Sequence, residues 1–335
     1  MPQYKKLRCL YKYQKQPYGG GLRIEKKDMK LIKSNYEILE QKPGLEGIYE
    51  MIETAGRTCY RSQRPEGQTA KDFVDRMIKS QHYAMLEHGT VYLKFESIVH
   101  AFGRGYLGGM KYIGNHYSKV DIEGTTQYVT TNYRVLVEND WLDDLKYLCE
   151  PTEFHEKRIT VRFTTDRGVS HEFVRHSVFS FAQESRRYCN YSKDKFGNEL
   201  TFIIPCWLDI MSEASEIHVD GNEVDFCYPE DVYTSNFLYT LKYAERAYLD
   251  LLQQWDKRIP DKRYKSGFRN NPWTPQQARA VLPNALKTEL VMTGFVSDWK
   301  HFFDLRAIGT TGAPHPDAKA LVEPLMCEFK KRDWL

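Results

Sequence analysis

Apolar residues recur at helical spacing in some stretches of this chain and alternate with polar ones in others. Leu45, Ile48, Met51, Ile52 and Ala55 fall on one side of a helix that leads into Arg57-Thr58-Cys59-Tyr60. Phe73, Val74, Met77 and Ile78 do the same for a helix over 70–80. The longest helix spans 234–257, with Leu238, Leu241, Tyr248, Leu252 and Trp255 along one side. Thr274-Pro-Gln-Gln277 is a helix start: a threonine cap, a proline in the first turn and a glutamine three residues after the cap. Further helices are predicted from Ser297 to near Arg306 and over 318–330. Alternation over 90–95 marks a strand, and 30–32, 158–163, 199–204 and 289–295 read as strands too.

Two regions break this rhythm. Residues 97–157 hold a glycine-rich run, Phe102 to Gly109, that does not follow the dinucleotide fingerprint, and a short helical piece near Trp141–Leu148. This region reads as an insertion, and the polar run 212–230 as a surface excursion. Residues 1–29 form a basic arm containing Pro17-Tyr-Gly-Gly-Gly21, and 30–335 read as a single domain. There is no internal repeat. Helices and strands mix without regular alternation, which predicts an α+β fold with a mixed, largely antiparallel sheet flanked by helices rather than a doubly wound sheet.

Composition narrows the function. With 48 Lys plus Arg against 45 Asp plus Glu, the net charge of +3 gives no general nucleic-acid electrostatics, so affinity for phosphate must come from local clusters. The seven cysteines are scattered and none forms a C-x-x-C pair, which argues against a zinc knuckle and a disulfide framework and for a reduced, cytoplasmic compartment. No signal-peptide core opens the sequence, and no window reaches the roughly 20 apolar residues of a membrane span.

The chemistry concentrates in 172–188. Arg175, Arg186 and Arg187 lie there with His176, Ser177 and Ser185, interleaved with Phe179, Phe181 and Tyr188. Guanidinium forks match phosphate oxygens two at a time and stay charged, and a solvated loop has no use for the aromatic residues. The segment reads as a partly buried anion site for a phosphorylated small molecule. Taken singly, Arg175 and Arg187 are ordinary surface ion-pair partners. His82 and His88, six residues apart, are poorly spaced for a shared metal, and no metal site is expected.

Together these segments resemble the flavin-dependent thymidylate synthases. That family's signature is Arg-His-Arg, seven residues, then Ser; here Arg175-His176-Ser177 is followed by seven residues and Ser185. Gln81-His82-Tyr-Ala-Met-Leu-Glu87-His88 is similar to the family's Gly-His-x-Ser-Pro-x-Glu-His, and Arg57-Thr58-Cys59 to its Arg-x-Ser. Arg279-x-Val-Leu-Pro283 and His301-Phe-Phe-Asp-Leu-Arg306 match two further segments. The matches cover about 30–95 and 158–330, leaving the arm and the insertion outside.

The resemblance implies synthesis of dTMP from dUMP, with methylenetetrahydrofolate as carbon donor and NADPH as reductant through FAD. It implies dUMP contacts from Glu172, Arg175, Ser185, Arg186, Arg187, Arg279 and Arg306. The flavin would meet Cys59, His82, Ala84, Arg175, His176, Ser177, Val178, Gln183, Phe295 and His301. Arg306 and His82 are the residues closest to catalysis, and no cysteine nucleophile is needed. A homotetramer with sites shared between subunits is implied as well.

The chain departs from the pattern in places. Ser177 removes one cation from the triplet, Gln183 offers a neutral amide, and Cys59 donates a weaker hydrogen bond than serine. Two alternatives stay open: a relative that delivers a hydroxymethyl group, and a nucleotide- or RNA-binding protein with a decayed flavin site.

Overall fold

The computed structural model describes residues 29–96, 108–185, 200–208, 217–220, 223–226, 232–252 and 273–335. The strands are β1 (Lys30–Ile32), β2 (Asn35–Leu39), β3 (Thr90–Glu96), β4 (Lys119–Glu123), β5 (Thr126–Asn132), β6 (Arg158–Asp166), β7 (Ser180–Gln183), β8 (Thr201–Ile203), β9 (Ile217–Asp220), β10 (Glu223–Phe226) and β11 (Lys287–Phe295). The helices are α1 (Gly44–Tyr60), α2 (Ala70–Lys79), α3 (Tyr133–Glu138), α4 (Arg167–Phe173), α5 (Val232–Leu252), α6 (Pro275–Ala278), α7 (Val296–Phe303) and α8 (Pro316–Lys331).

The chain groups into two compact units where the sequence reading treats 30–335 as one domain. One comprises Ser34–Ser185 with Thr288–Leu335, the other Met1–Lys33 with Arg186–Lys287. The first unit holds two sheets. Strands β2-β6-β11-β7 form one, with β2–β6 and β11–β7 antiparallel. Strands β3-β5-β4 form the other, wholly antiparallel. In the second unit β1 and β8 pair in parallel and β9 and β10 antiparallel. The expected α+β class with largely antiparallel pairing is what the chain adopts.

Local chemistry accounts for the main elements. Thr69 caps α2 by accepting from the Asp72 N–H at 3.2 Å, while the Asp72 carboxylate accepts from the Thr69 N–H at 2.8 Å. The apolar faces of α1 and α2 pack with β3, β5 and α3 around Ile48, Ile52, Phe73, Val74, Leu86 and Leu136. Gly89 is required where the chain turns into β3, because a Cβ there would lie 2.7 Å from Ile48 and Ile52.

Strand β6, the middle of β11, and helices α4, α7 and α8 enclose a second core of Phe163, Phe173, Phe179, Trp299, Phe302, Phe303 and Phe329. Burying each such ring is worth about 2 kcal/mol. The second unit packs α5 and α6 on β8 through Leu238, Leu241, Tyr248, Ala278 and Phe202. At α6 the Gln277 side chain accepts from the Thr274 N–H at 2.9 Å, as the start signal predicts.

The segment read as an insertion is built into the first unit. Strand β5 pairs with β3 along its whole length, from Thr90 opposite Asn132 to Glu96 opposite Thr126. Its burial escaped a search for alternating apolar residues because four of its five buried positions, Gln127, Thr130, Thr131 and Asn132, are polar, Val129 being the other. The run 212–230 likewise contains the β9–β10 pair. Residues 1–28, 97–107 and 253–272 lie outside the described residues, taking with them most of the basic arm, most of the glycine-rich run and the end of the longest predicted helix.

Candidate active site

Strand β6 ends at Asp166, whose carboxylate accepts from the Val169 N–H at 2.9 Å and starts α4. Helix α4 carries Glu172 and unwinds through turns in which the His176 N–H reaches the Phe173 carbonyl and the Phe179 N–H reaches the His176 carbonyl, both at 3.1 Å. That winding turns His176 and Phe179 inward and leaves Arg175, Ser177 and Val178 exposed. Strand β7 then runs antiparallel to β11, with Gln183 opposite Leu290.

From the other side of the core, α7 ends in a π-helical turn over Asp304–Ile308 that carries Arg306. Such turns recur at functional sites. The Arg306 guanidinium donates from Nε to His176 Nε2 at 3.0 Å, from Nη1 to the Glu172 carboxylate at 2.8 Å and from Nη2 to the Glu172 carbonyl at 2.9 Å. Three of its five N–H groups thus fix the fork in place. Residues 134 positions apart in sequence form this contact.

His176 must be neutral to accept from a guanidinium, which puts its proton on Nδ1. Burial, then the Arg306 charge, then His301 push its pKa down to about 4. Phe302 lies edge-on to the His176 ring at 5.0 Å, and His301 at 6.2 Å.

A second group forms where β7 meets α1. The Ser185 N–H donates to the Cys59 carbonyl at 2.8 Å, and Cys59 Sγ lies 3.9 Å from Met85 Sδ in the helical turn Tyr83–His88. His82 and Ala84, exposed at the start of that turn, accompany them. Burial pushes the Cys59 thiol up to about 11, so it stays protonated at neutral pH. The Gln183 amide donates inward, to the Ser170 hydroxyl at 2.9 Å and the Thr288 hydroxyl at 3.3 Å.

Thus Glu172, His176, His301 and Arg306 converge, and Cys59, His82, Ala84 and Ser185 gather around the end of α1. Phe295 stands apart: it is buried at the end of β11, 5.5 Å from the Arg158 guanidinium and from the Lys119 ammonium. Arg279 is half-buried where α6 ends, in the other compact unit. Arg186 and Arg187 lie outside the described residues. Arg57 is engaged locally, donating to the Glu53 carboxylate at 2.7 Å and the Gln63 carbonyl at 2.6 Å.

The sequence reading passed over Arg61. Its backbone is left-handed, φ 44°, and its guanidinium comes within 3.6 Å of the buried Glu184 carboxylate beside Ser185. Only its place just after Arg57-Thr58-Cys59 could have drawn notice. No group of metal-ligating side chains occurs among the described residues, and no described helix is long and apolar enough to cross a membrane.

An arginine fork is thus fixed where a π-turn meets the loop leading into β7 of an α+β protein. Residues 118–332 match the family model described as thymidylate synthase complementing protein, and the chain belongs to that family. The match begins inside the segment read as an insertion.

Among curated relatives, the flavin-dependent thymidylate synthase of Corynebacterium diphtheriae is 28% identical over 141 residues, 42% of this chain and 45% of that protein. That of Mycobacterium avium is 31% identical over 142 residues, 42% of this chain and 46% of that protein. The Mycolicibacterium vanbaalenii enzyme is 28% identical over 265 residues, 78% of this chain and 68% of that protein. The chain therefore spans about half the length of the first of these relatives. A solved UMP/dUMP methylase, PolB from Streptomyces cacaoi, aligns over 90% of this chain and 92% of its own at 13% identity, with a TM-score of 0.38. So loose a superposition bears no weight for the site.

Proposed function

We propose that this chain makes dTMP from dUMP, taking a methylene group from methylenetetrahydrofolate and reducing equivalents from NADPH through FAD. The observation that carries this is the Arg306 fork, pinned by Glu172 and His176 beside the segment that bears the family signature. Family membership and the relatives' names support the flavin. The residues present suit it: exposed Ser177 and Val178 flank the neutral His176, and exposed His82 and Ala84 lie beside Cys59. These would hold the ring, together with Gln183, and FAD would supply the redox chemistry and carry the carbon.

The chain's own part is positioning. Because the Glu172 carboxylate already balances its charge, Arg306 acts as an oriented pair of donors for carbonyl oxygens of the base. Ser185, with Arg186 and Arg187, takes the phosphate, and Arg279 helps from a neighbouring subunit. Holding the ring in one attitude lowers the barrier by several kcal/mol without an acid or base from the protein. The protonated Cys59 thiol agrees with a reaction that uses no cysteine nucleophile.

The test is product analysis with labelled dUMP, FAD, NADPH and methylenetetrahydrofolate. Labelled dTMP is expected; hydroxymethyl-dUMP, or unchanged dUMP from a folded protein that stays colourless with added FAD, would reject the reading. The assembly we infer is a homotetramer with sites shared between subunits. Mixing inactive Arg187→Ala and Arg279→Ala proteins should then restore part of the activity, and no recovery in mixed tetramers counts against sharing.

A further inference from the structure

Helix α2 hands the chain to the turn that His82 opens, and the joint between them is one residue. The Gln81 N–H donates to the Ile78 carbonyl at 3.0 Å, and the His82 N–H to the Met77 carbonyl at 2.9 Å. This pair of bonds closes the end of a helix when the residue at the joint is left-handed, and Gln81 has φ 57°. Glycine is the usual residue there, because a Cβ crowds the following carbonyl in that conformation.

Four non-glycine residues among the described residues have φ in the left-handed range: Arg61, Gln81, Asp140 and Asp333. Each closes a helix in the same way, its own N–H reaching back three residues and the next N–H five. Short polar side chains such as aspartate tolerate this conformation best after glycine. Aspartate stands at the ends of α3 and α8, which carry no residue of the proposed site. The longer Gln81 adjoins His82, and Arg61 lies two residues after Cys59. Backbone held in a costly conformation beside candidate site residues is an observation from which a functional role can be argued.

The far end of the turn is fixed as well. The Glu87 carbonyl accepts from Arg158 at 3.0 Å, and its carboxylate pairs with Arg134. The buried His88 Nδ1 lies 2.8 Å from the Thr293 hydroxyl on β11. Within the turn the Met85 N–H donates to the His82 carbonyl at 3.3 Å. With both flanks held, the backbone at Gln81 sets the direction in which the chain enters His82. The Gln81 side chain itself is exposed.

We propose that Gln81 is a positioning residue for the flavin: its left-handed backbone, not its side chain, aims His82 at the cofactor. This rests on the reading that His82 meets the flavin. A β-branched residue takes φ near 57° only against a steric clash, so valine opens the joint and releases the His82 N–H from the Met77 carbonyl. Glycine adopts the same conformation without that clash.

FAD titration well below the unfolding midpoint, together with amide exchange in the FAD-free protein, tests this. Gln81→Val should weaken FAD about tenfold and speed exchange of the His82 amide. Gln81→Gly should rescue both to wild-type values and raise the midpoint by roughly 2 °C. Asp140→Val breaks the same joint at the end of α3; its midpoint should fall about as far as that of Gln81→Val, with FAD affinity unchanged. His82→Ala should weaken FAD, and adding Gln81→Val to it should cost nothing more, because the second change acts through a side chain already removed. Wild-type FAD affinity in a folded Gln81→Val protein, weaker FAD binding by Gln81→Gly, or an undiminished further loss in the His82→Ala background would overturn the proposal. Wild-type FAD affinity in His82→Ala would instead reject the placement of the flavin at His82, and the proposal with it.

Discussion

Arg306 and Arg158 belong to the same compact unit and sit in opposite electrostatic circumstances. The Arg306 side chain keeps 18% exposure and has the Glu172 carboxylate at 2.8 Å. Arg158 is enclosed, and its guanidinium is met only by a carbonyl and two hydroxyls. A carboxylate in contact turns a cation into an oriented set of donors whose charge is already balanced, so geometry rather than net charge selects what else it binds. Arg158 has neutral acceptors in contact and the Glu87 and Asp298 carboxylates only at a distance. The first arrangement is the one we propose for recognition of a nucleobase; the second holds strands together.

Methionine at each position separates these roles. Arg158→Met leaves the Glu87 carbonyl and the Thr90 and Ser180 hydroxyls unpaired, and should cost about 3 kcal/mol in urea unfolding. Arg306→Met removes a partly solvated pair, and should cost no more than about 1 kcal/mol. Equal losses would erase the distinction.

The pH response is the next largest effect. The folded-state pKa of His176, about 4, lies below its ordinary 6.5, so the folded protein binds fewer protons than the unfolded chain between those values. Its contribution is therefore complete above pH 6.5, declines as the pH falls and is gone below about 4, on the order of 3 kcal/mol. His88, buried and pushed down to about 3, acts in the same direction. The contribution of His176 is thus the difference between wild type and His176→Gln, whose stability should fall less steeply over this window. Parallel profiles would mean that His176 is not the neutral acceptor of the Arg306 N–H.

The smallest effect concerns the missing cation of the triplet. Ser177 is exposed beside His176, so an arginine there adds a solvated charge. Ser177→Arg should tighten FAD or dUMP by about threefold, roughly 0.6 kcal/mol. Paired titrations giving equal affinities for both ligands would reject that.

Much of this was legible in the sequence. Helices α1 and α2 followed from apolar spacing, α6 from its start signal and β3 from alternation, and α8, β6 and β11 were expected where they occur. Trp299, Phe302 and Phe303, within the helix predicted from Ser297, are fully buried. Strand β5 was not legible because all its buried positions but Val129 are polar, and the four-residue β7 because it is too short for a period to register. At the site, the signature pointed to His176, and the match at His301–Arg306 pointed to Arg306. That Glu172 holds Arg306, rather than standing free for a nucleotide, depends on a contact across 134 residues that no local pattern encodes. Phe295, placed beside the flavin by the resemblance alone, ends β11 with its ring 5.5 Å from the Arg158 guanidinium.

Calorimetric titration of dUMP into FAD-loaded wild type and Arg306→Met, each first verified as folded, bears most directly on the account. Loss of the fork should weaken dUMP at least tenfold, about 1.4 kcal/mol, with FAD affinity nearly unchanged. Equal dUMP affinity in a folded Arg306→Met protein would contradict it.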